Sequence, residues 1–162
     1  MSTKPTAEII AIGSELLSGY IVDTNSSHIS HVLASIGIKL CFISAVGDDE
    51  EVIADAVTRA LSRSDIVLTT GGLGPTIDDK TRAAVALATD RSLVFEDDLL
   101  RQIESRFNHW GRKMSENNTR QAYMPDGALP IENRVGTAPC FVVEHDRSRV
   151  ICLPGVPREM KY

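Results

Sequence analysis

The fold is decided by one glycine-rich stretch, Thr69-Thr70-Gly71-Gly72-Leu73-Gly74-Pro75-Thr76-Ile77-Asp78-Asp79-Lys80-Thr81. It follows the apolar run Asp65-Ile66-Val67-Leu68, which is short enough to be a buried parallel strand. It leads into residues 80–88, which are typical of a helix. A turn that joins the carboxyl end of a strand to the amino end of a helix is where an α/β sheet usually places its ligand. The stretch therefore predicts an α/β fold with a ligand site at this edge of the sheet.

The glycines of this turn, Gly71, Gly72 and Gly74, predict a phosphate site. Without Cβ atoms they let the backbone approach a ligand closely. Their N–H groups, together with those of the first helical turn, can hold an anion. The turn is not a Walker loop, because no Gly-Lys-Ser or Gly-Lys-Thr follows it, and it is not a Gly-x-Gly-x-x-Gly dinucleotide fingerprint. The sequence thus indicates an anion cradle of a different kind.

Two adjacent carboxylates, Asp78 and Asp79, follow the predicted cradle. Carboxylates repel a bare phosphate, so this pair indicates a hard divalent cation between the acids and the anion. The alternative is that Thr76 or Asp78 caps the helix in a Thr-x-x-Asp box. Because capping does not need two adjacent acids and three glycines, the ligand site is the favoured interpretation.

Composition limits the class of protein. The chain has 162 residues, 43% of them hydrophobic, which is consistent with one domain and an ordinary core. The net charge of −5 excludes the basic footprint of a nucleic-acid-binding protein. The amino terminus lacks the apolar segment of a signal peptide, and no run is long enough to span a bilayer. We therefore expect a cytoplasmic protein with no nucleic-acid and no membrane partner.

The three cysteines, Cys41, Cys140 and Cys152, lie in or next to apolar, strand-like runs and form no Cys-x-x-Cys pair. Their odd number and their spacing argue against a zinc site or a disulfide framework. We expect buried, reduced thiols.

Apolar spacing along the rest of the chain predicts alternating strands and helices. The predicted strands cover residues 7–12 and 38–46 and a hairpin at the sheet edge over 140–144 and 149–153, and the predicted helices cover 23–37, 48–61, 96–110 and 115–122, with a last one opening at Pro157. The sole tryptophan, Trp110, is predicted to be core or a subunit contact rather than a stacking platform. The chain ends at Tyr162, within the last helical turn, which favours a truncated or shortened domain.

Strand ends locate a third carboxylate. The strand over 7–12 ends at Gly13-Ser14-Glu15, and the strand over 38–46 ends at Gly47-Asp48. The carboxyl ends of parallel strands meet at one edge of a sheet, so Asp48 is expected on the same rim as the acids of the glycine-rich stretch. Asp48 also makes a capping box with Glu51 for the helix that follows.

Five separated motifs carry a resemblance to a known family. They are Gly13-Ser14-Glu15-Leu16-Leu17, the stretch from Thr70 to Asp79, Glu116-Asn117-Asn118, Gly136-Thr137-Ala138-Pro139, and Leu153-Pro154-Gly155-Val156-Pro157-Arg158-Glu159-Met160. Together they resemble the amino-terminal domain of the CinA (competence/damage-inducible) family over essentially the whole chain. The chain departs from the family pattern at Ser14, where threonine is usual, and at Cys140, where glycine is usual and where a side chain is expected to crowd the ligand loop.

The resemblance implies a three-layer α/β/α sandwich with a mostly parallel sheet, the MoaB/MogA-like molybdopterin-binding fold. It implies that residues 1–162 form a single domain, truncated at its carboxyl end. Full-length CinA proteins also carry an amidase domain that deamidates nicotinamide mononucleotide, and this chain is expected to lack that activity. Relatives form dimers or trimers, so a homo-oligomer is expected.

The resemblance also implies an activity, the metal-dependent hydrolysis of ADP-ribose to AMP and ribose 5-phosphate. Asp48 and Asp79 match the two aspartates that serve adenylylation in the related MogA enzymes and are the expected catalytic residues. A divalent ion, magnesium or a similar ion, is expected at Asp48, Asp78 and Asp79. The expected ligand-binding residues are Gly13, Ser14, Glu15, Gly71, Gly72, Gly74, Pro75, Thr76, Asn117, Asn118, Gly136, Thr137 and Ala138.

Two alternatives remain open at this point. One is that the chain binds or adenylylates molybdopterin in molybdenum cofactor biosynthesis. The other is a non-catalytic module that binds a nucleotide or a pterin. For Asn117 and Asn118, a solvated helix start is as good an interpretation of the local sequence as a ligand contact.

Overall fold

A computed structural model describes residues 4–162, so the first three residues of the predicted domain lie outside the described residues. The strands are β1 (Thr6–Ile12), β2 (Lys39–Val46), β3 (Ile66–Thr70), β4 (Leu93–Phe95), β5 (Tyr123–Pro125), β6 (Leu129–Ile131), β7 (Cys140–His145) and β8 (Ser148–Leu153). The helices are α1 (Ser14–Leu17), α2 (Thr24–Ser35), α3 (Glu50–Leu61), α4 (Thr81–Ala88), α5 (Asp97–His109) and α6 (Pro157–Met160), with a 3-10 helix over Glu116–Ala122.

The main sheet has six strands in the order β2-β1-β3-β8-β7-β6. The first four are mutually parallel, whereas β7 is antiparallel to both β8 and β6. This arrangement confirms the predicted mostly parallel α/β sheet. The predicted hairpin is present as β7 and β8, but its position at the sheet edge was wrong because β6 pairs outside it. Both β6 and the separate two-stranded sheet of β4 and β5 were missed.

Helices cover both faces of the main sheet. Alternating residues of β1 enter opposite cores: Ile10 packs in one cluster with Val57 of α3 and Val85 of α4, and Ile9 packs in the other with Ile29 of α2. Side chains alternate across a strand, so a strand that is apolar throughout has to be buried on both faces. The result is the three-layer α/β/α sandwich. Among the described residues, no helix is long and apolar enough to cross a membrane.

Some of the acidic residues cap helices and are therefore not available to bind a ligand. The side chain of Asp23 caps α2, accepting a hydrogen bond from the Ser26 N–H at 2.9 Å. At α3 the cap is Asp49, which accepts from the Val52 N–H at 3.0 Å. The predicted capping box of Asp48 was therefore wrong, because the chain is still leaving β2 at that residue. Asp48 is left to act elsewhere.

Burial separates the three thiols. Cys140 and Cys152 are buried, and burial raises the pKa of Cys140 to about 11 and that of Cys152 to about 12. Cys41 is exposed, so the expectation of a buried thiol was wrong there. It lies on β2, which is the edge strand of the sheet and has a neighbour on only one side.

Ellman's reagent is expected to react rapidly with one thiol of the folded protein and with three in denaturant. At neutral pH the buried thiols stay protonated, and only a thiolate reacts. A Cys41→Ser variant should show no rapid reaction in the folded state. Rapid release of a second equivalent from the native protein would contradict the burial of Cys140 and Cys152.

Candidate functional site

A cleft of about 760 Å³ lies where β1, β2, β3 and β8 end at the same edge of the sheet. The structure brings most of the sequence-predicted site residues into its lining, namely Gly13, Glu15, Asp48, Gly71, Gly72, Gly74, Pro75, Asp78, Asp79, Thr137 and Ala138. It does not place the other five there, namely Ser14, Thr76, Asn117, Asn118 and Gly136.

Asp79 organises the glycine-rich turn. Its Oδ1 accepts a hydrogen bond from the Gly74 N–H at 2.7 Å. Its Oδ2 accepts from the N–H and the hydroxyl of Thr76, at 2.8 Å and 2.6 Å. The helix α4 begins only at Thr81, and no side chain caps it, so the alternative interpretation that Thr76 or Asp78 caps it was wrong. The Thr-x-x-Asp pattern instead closes a turn that precedes the helix.

Hydrogen bonds within the fold reduce the number of N–H groups that the predicted anion cradle can offer to a ligand. The Gly71 N–H donates to the Leu153 carbonyl at 3.1 Å, and the Gly74 N–H donates to Asp79. In the described part of the chain, the N–H groups of Gly72 and Leu73 remain without a protein acceptor. Of the four N–H groups of residues 71–74, two are therefore left to bind an anion.

Close packing explains why glycine is needed at the start of the turn. Gly71 has a φ of +114°, and a Cβ there would overlap the carbonyl oxygen of Ile12 at the end of β1. Gly72 has a φ of +65°, and a Cβ there would overlap the hydroxyl of Thr81. That hydroxyl donates to the Gly71 carbonyl at 2.8 Å. The turn is thus fixed against β1 on one side and α4 on the other.

Arg82 stabilises the same turn through hydrogen bonds to its carbonyl groups. Its guanidinium is buried and donates to the carbonyls of Leu73 and Gly74. Burial lowers the pKa of Arg82 to about 10, so the group is still a cation at neutral pH. Sequence reasoning missed this residue, because an arginine on a predicted helix is normally exposed.

Asp48 joins the first two strand ends. Its Oδ2 accepts from the Ser14 N–H at 2.9 Å, and its own N–H donates to the Ser14 hydroxyl at 3.3 Å. Ser14 therefore holds Asp48 in place rather than lining the cleft. The Oδ1 of Asp48 receives no protein donor within residues 4–162.

Asn25 is a further residue that sequence reasoning treated only as part of a helix start. Its amide donates to the Thr70 hydroxyl and to the Gly155 carbonyl, both at 2.9 Å. The Thr70 hydroxyl in turn donates to the Pro154 carbonyl at 3.0 Å. Asn25 thus ties α2 to the end of β3 and to the turn after β8, and it lines the cleft.

Asn118 of the Asn117-Asn118 motif does not line the cleft itself but holds Gln121, which does. Asn118 is buried, accepts from the Ser115 N–H and hydroxyl, and donates to Gln121 Oε1 at 3.2 Å. Gln121, which sequence reasoning missed, is itself buried and lines the cleft. Asn117 is exposed and lies outside the cleft lining.

The Gly136 loop is shaped by Asn133. Its Oδ1 accepts from the Val135 and Gly136 N–H groups at 3.1 Å and 2.8 Å, and its amide donates to the Ala138 carbonyl and to Glu159. Gly136 packs against the Glu159 carboxylate and is not among the residues that line the cleft. Cys140 is buried at the start of β7 and is absent from the cleft lining, so its side chain does not narrow the cleft directly, and crowding of the ligand loop stays a prediction.

The cleft is rich in carboxylates. Glu15, Asp48, Asp78, Asp79 and Glu159 all line it. Within the described residues, however, no group of three or more His, Cys, Asp or Glu side chains is arranged to hold a metal ion unaided. A magnesium ion usually takes only one or two carboxylates and completes its shell with water and phosphate oxygens. Within the described residues, an ion in this cleft would therefore need further oxygens from water or from an anionic ligand.

Several known proteins are similar to this chain in sequence. A family profile described as "Probable molybdopterin binding domain" matches residues 8–162. A competence-damage inducible protein of Halothermothrix orenii is 50% identical over 96% of this chain, and a CinA-like protein of Desulfosudis oleivorans is 46% identical over 96%. The chain spans about 38% of the length of these curated relatives.

Solved structures share the fold. The CinA protein of Thermoplasma acidophilum matches with a TM-score of 0.91 and 36% identity, covering 98% of this chain and 92% of that one. The molybdopterin biosynthesis enzyme MoaB of Thermus thermophilus matches with a TM-score of 0.65 and 21% identity, covering 97% and 85%, which shows a common fold. The chain belongs to the molybdopterin-binding-domain family and is a CinA amino-terminal domain with the MoaB/MogA-like fold.

Proposed function

We propose that this domain binds the diphosphate of a nucleotide at the glycine-rich turn and hydrolyses ADP-ribose to AMP and ribose 5-phosphate with a divalent ion. The observation that carries the proposal is the turn itself, which Asp79 closes in a cleft that Asp48 and Asp78 also line. The cleft volume of about 760 Å³ lies in the range of small-molecule sites.

The reaction is a transfer of a phosphoryl group to water. The oxygen of a water attacks one phosphorus of the diphosphate, and the bond from that phosphorus to the bridging oxygen breaks. One product keeps the attacking oxygen, the other keeps the bridging oxygen, and protons are released to the medium. Catalysis of such a reaction is mostly positioning and charge stabilisation. Asp48 is the group proposed to orient the water, since its Oδ1 receives no donor from the described residues.

The donor set fits a divalent ion. Asp48 keeps one carboxylate oxygen without a hydrogen bond, and no hydrogen bond to the Asp78 side chain occurs in the described chain. The Oδ1 of Asp79 receives a single donor, the Gly74 N–H. The proposed ligands come from these three residues, of which one or two would bind the ion at a time, and phosphate oxygens and water would complete its shell. When bound, the ion would neutralise the charge that develops on the phosphoryl oxygens.

The remainder of the cleft suits a ring. Ile21 and Val22 line it after α1, and Val156 and Pro157 line it at the start of α6. The side chains of Ile21 and Val22 are exposed. Burial of such apolar surface against a base would favour binding by the hydrophobic effect. A cleft with an anion-binding part and an apolar part is what a nucleotide requires.

A pterin is the second candidate ligand. It is supported by the family profile that matches residues 8–162 and by the fold shared with MoaB of Thermus thermophilus. Molybdopterin carries a phosphate and a planar ring, so the same turn and the same apolar wall would serve it. Under this alternative the domain binds molybdopterin, with or without transfer of adenylate.

The test is the incubation of purified protein with ADP-ribose, with added Mg²⁺ or with EDTA, followed by chromatography for AMP. We expect AMP only when the metal is present. Saturable binding of ADP-ribose or molybdopterin without product would contradict the hydrolase and would favour a non-catalytic binding module. Failure to bind either ligand would contradict both candidates. Light scattering on the same samples would check the proposed homo-oligomer, a dimer or a trimer.

A further inference from the structure

A second cavity of about 500 Å³ adjoins the cleft. We call it the arginine pocket; Trp110, Arg112, Thr137, Arg158 and Glu159 are among its lining residues. Thr137 and Glu159 line the cleft as well, so they form a common wall between the two spaces. A ligand in the cleft would have to extend past Thr137 to enter the arginine pocket.

The arginine pocket carries unpaired positive charge. Arg112 and Arg158 are exposed, and within residues 4–162 neither side chain forms an ion pair or a hydrogen bond. Neighbouring arginines differ, since Arg106 and Arg134 both pair with Glu132. The carboxylate of Glu159 already accepts a hydrogen bond from Asn133 at 2.7 Å.

Two cations against one carboxylate leave the pocket locally positive in a chain whose net charge is −5. Arginine guanidinium groups bind phosphate through paired N–H donors. The charge therefore favours a phosphate over a carbohydrate or an apolar group as occupant.

Trp110 adds an aromatic wall. Its side chain is 40% exposed, and its ring meets Phe107 edge to face with centroids 6.0 Å apart. Of the two predicted positions, core or a subunit contact, the core position was therefore wrong, and the subunit contact stays a prediction. Phe107 contacts one side of the indole, and the pocket lies against the exposed part. An indole beside two guanidinium groups suits a phosphorylated sugar, which offers both an anion and an apolar ring face.

We propose that the arginine pocket binds a further phosphate of the same ligand, so that the preferred ligands are nucleoside-diphosphate sugars with a third phosphate on one ribose. This inference rests on the proposed function, because it needs the diphosphate at the glycine-rich turn. In this arrangement the ligand extends from the glycine-rich turn past Thr137, and its third phosphate lies between Arg112 and Arg158 beside Trp110.

The test compares the dissociation constants of ADP-ribose and of two phosphorylated forms, one with the phosphate on the 2′-hydroxyl of the adenosine and one with it on the 1″ position of the distal ribose. Binding is followed by the fluorescence of Trp110, which is the sole tryptophan and lies in the pocket. All titrations are made in EDTA, where the proposed function predicts no hydrolysis; calorimetry gives an independent value, and chromatography verifies that the ligands stay intact.

We expect at least one phosphorylated form to bind about tenfold more tightly than ADP-ribose, as two exposed arginine–phosphate contacts allow. In Arg112→Ala and in Arg158→Ala this preference should fall severalfold, while the affinity for ADP-ribose itself changes little. Arg59→Ala is the control, because Arg59 is also an exposed arginine but lies on α3, where it pairs with Asp55.

Equal affinity for the three ligands, or a preference that survives in the double variant Arg112→Ala/Arg158→Ala, would overturn the inference while leaving the proposed function in place. Absence of binding by all three ligands would contradict the proposed function itself, and the inference with it. The two failures are therefore distinguishable in one set of titrations.

Discussion

Replacement of Asp79 by asparagine is expected to lower the rate of AMP formation from ADP-ribose at least about 100-fold, because hydrogen bonds to charged groups contribute roughly 1.5–3 kcal/mol each. The carboxylate accepts three hydrogen bonds, from the Gly74 N–H and from the N–H and hydroxyl of Thr76. An asparagine would turn an NH₂ group toward one of these donors and would remove the negative charge. Initial rates measured by chromatography at saturating Mg²⁺ would give the loss.

The fold should survive this substitution, since Asp79 lies at the rim of the sheet and half-buried. Circular dichroism melting curves would check this. Asp55→Asn is the control, because Asp55 is an exposed aspartate on α3 that forms an ion pair away from the cleft. Thr76→Val removes only the hydroxyl donor and should have an intermediate effect. Full activity of the Asp79→Asn enzyme would rule out the mechanism.

Replacement of Gly71 by alanine should reduce the free energy of unfolding by about 2–5 kcal/mol, from the sum of backbone strain and overpacking. Its φ of +114° is unfavourable for any residue with a Cβ, and that atom would meet the carbonyl oxygen of Ile12. Neither group is at the end of a flexible side chain, so relief requires a shift of β1 or β3. Urea unfolding followed by circular dichroism measures the change.

Gly37→Ala is the matched control for that measurement. Gly37 follows α2 with a φ of +79°, and no atom lies within 4 Å of a Cβ built there. It should show only the conformational cost of the left-handed backbone, about 1 kcal/mol. If both variants lost the same free energy of unfolding, the close approach of Gly71 to Ile12 would have no effect on the cost of adding a Cβ.

Much of the fold was predictable because its long elements have clear patterns. β1 and β3 are apolar and short, and α3 and α5 bury one face at helical spacing, so period and length identify them. The strands β4, β5 and β6 have three residues each, which is too few for a period to emerge. Their pairing is decided by tertiary contact.

The candidate site was predictable only as far as strand ends and glycines mark it. Asp48 and Asp49 are adjacent acids, and which of them caps α3 depends on where β2 ends, a property of its register with β1. Arg82 and Gln121 line or support the site from positions where the local sequence indicates an ordinary helix surface. Their roles follow from what packs above them, which no local pattern encodes.

The strand order also sets a condition on synthesis. Among the described strands β8 is synthesised last, yet it pairs with β3 in the middle of the sheet, where Ile66 is paired with Arg149. Until residues 148–153 emerge, a nascent chain carries β3 with one bare, apolar edge, which is a template for aggregation. Such distant pairing is also slow to form. The glycine-rich turn after β3, with the Gly71 N–H bound to Leu153, therefore reaches its final shape only after translation has passed β8.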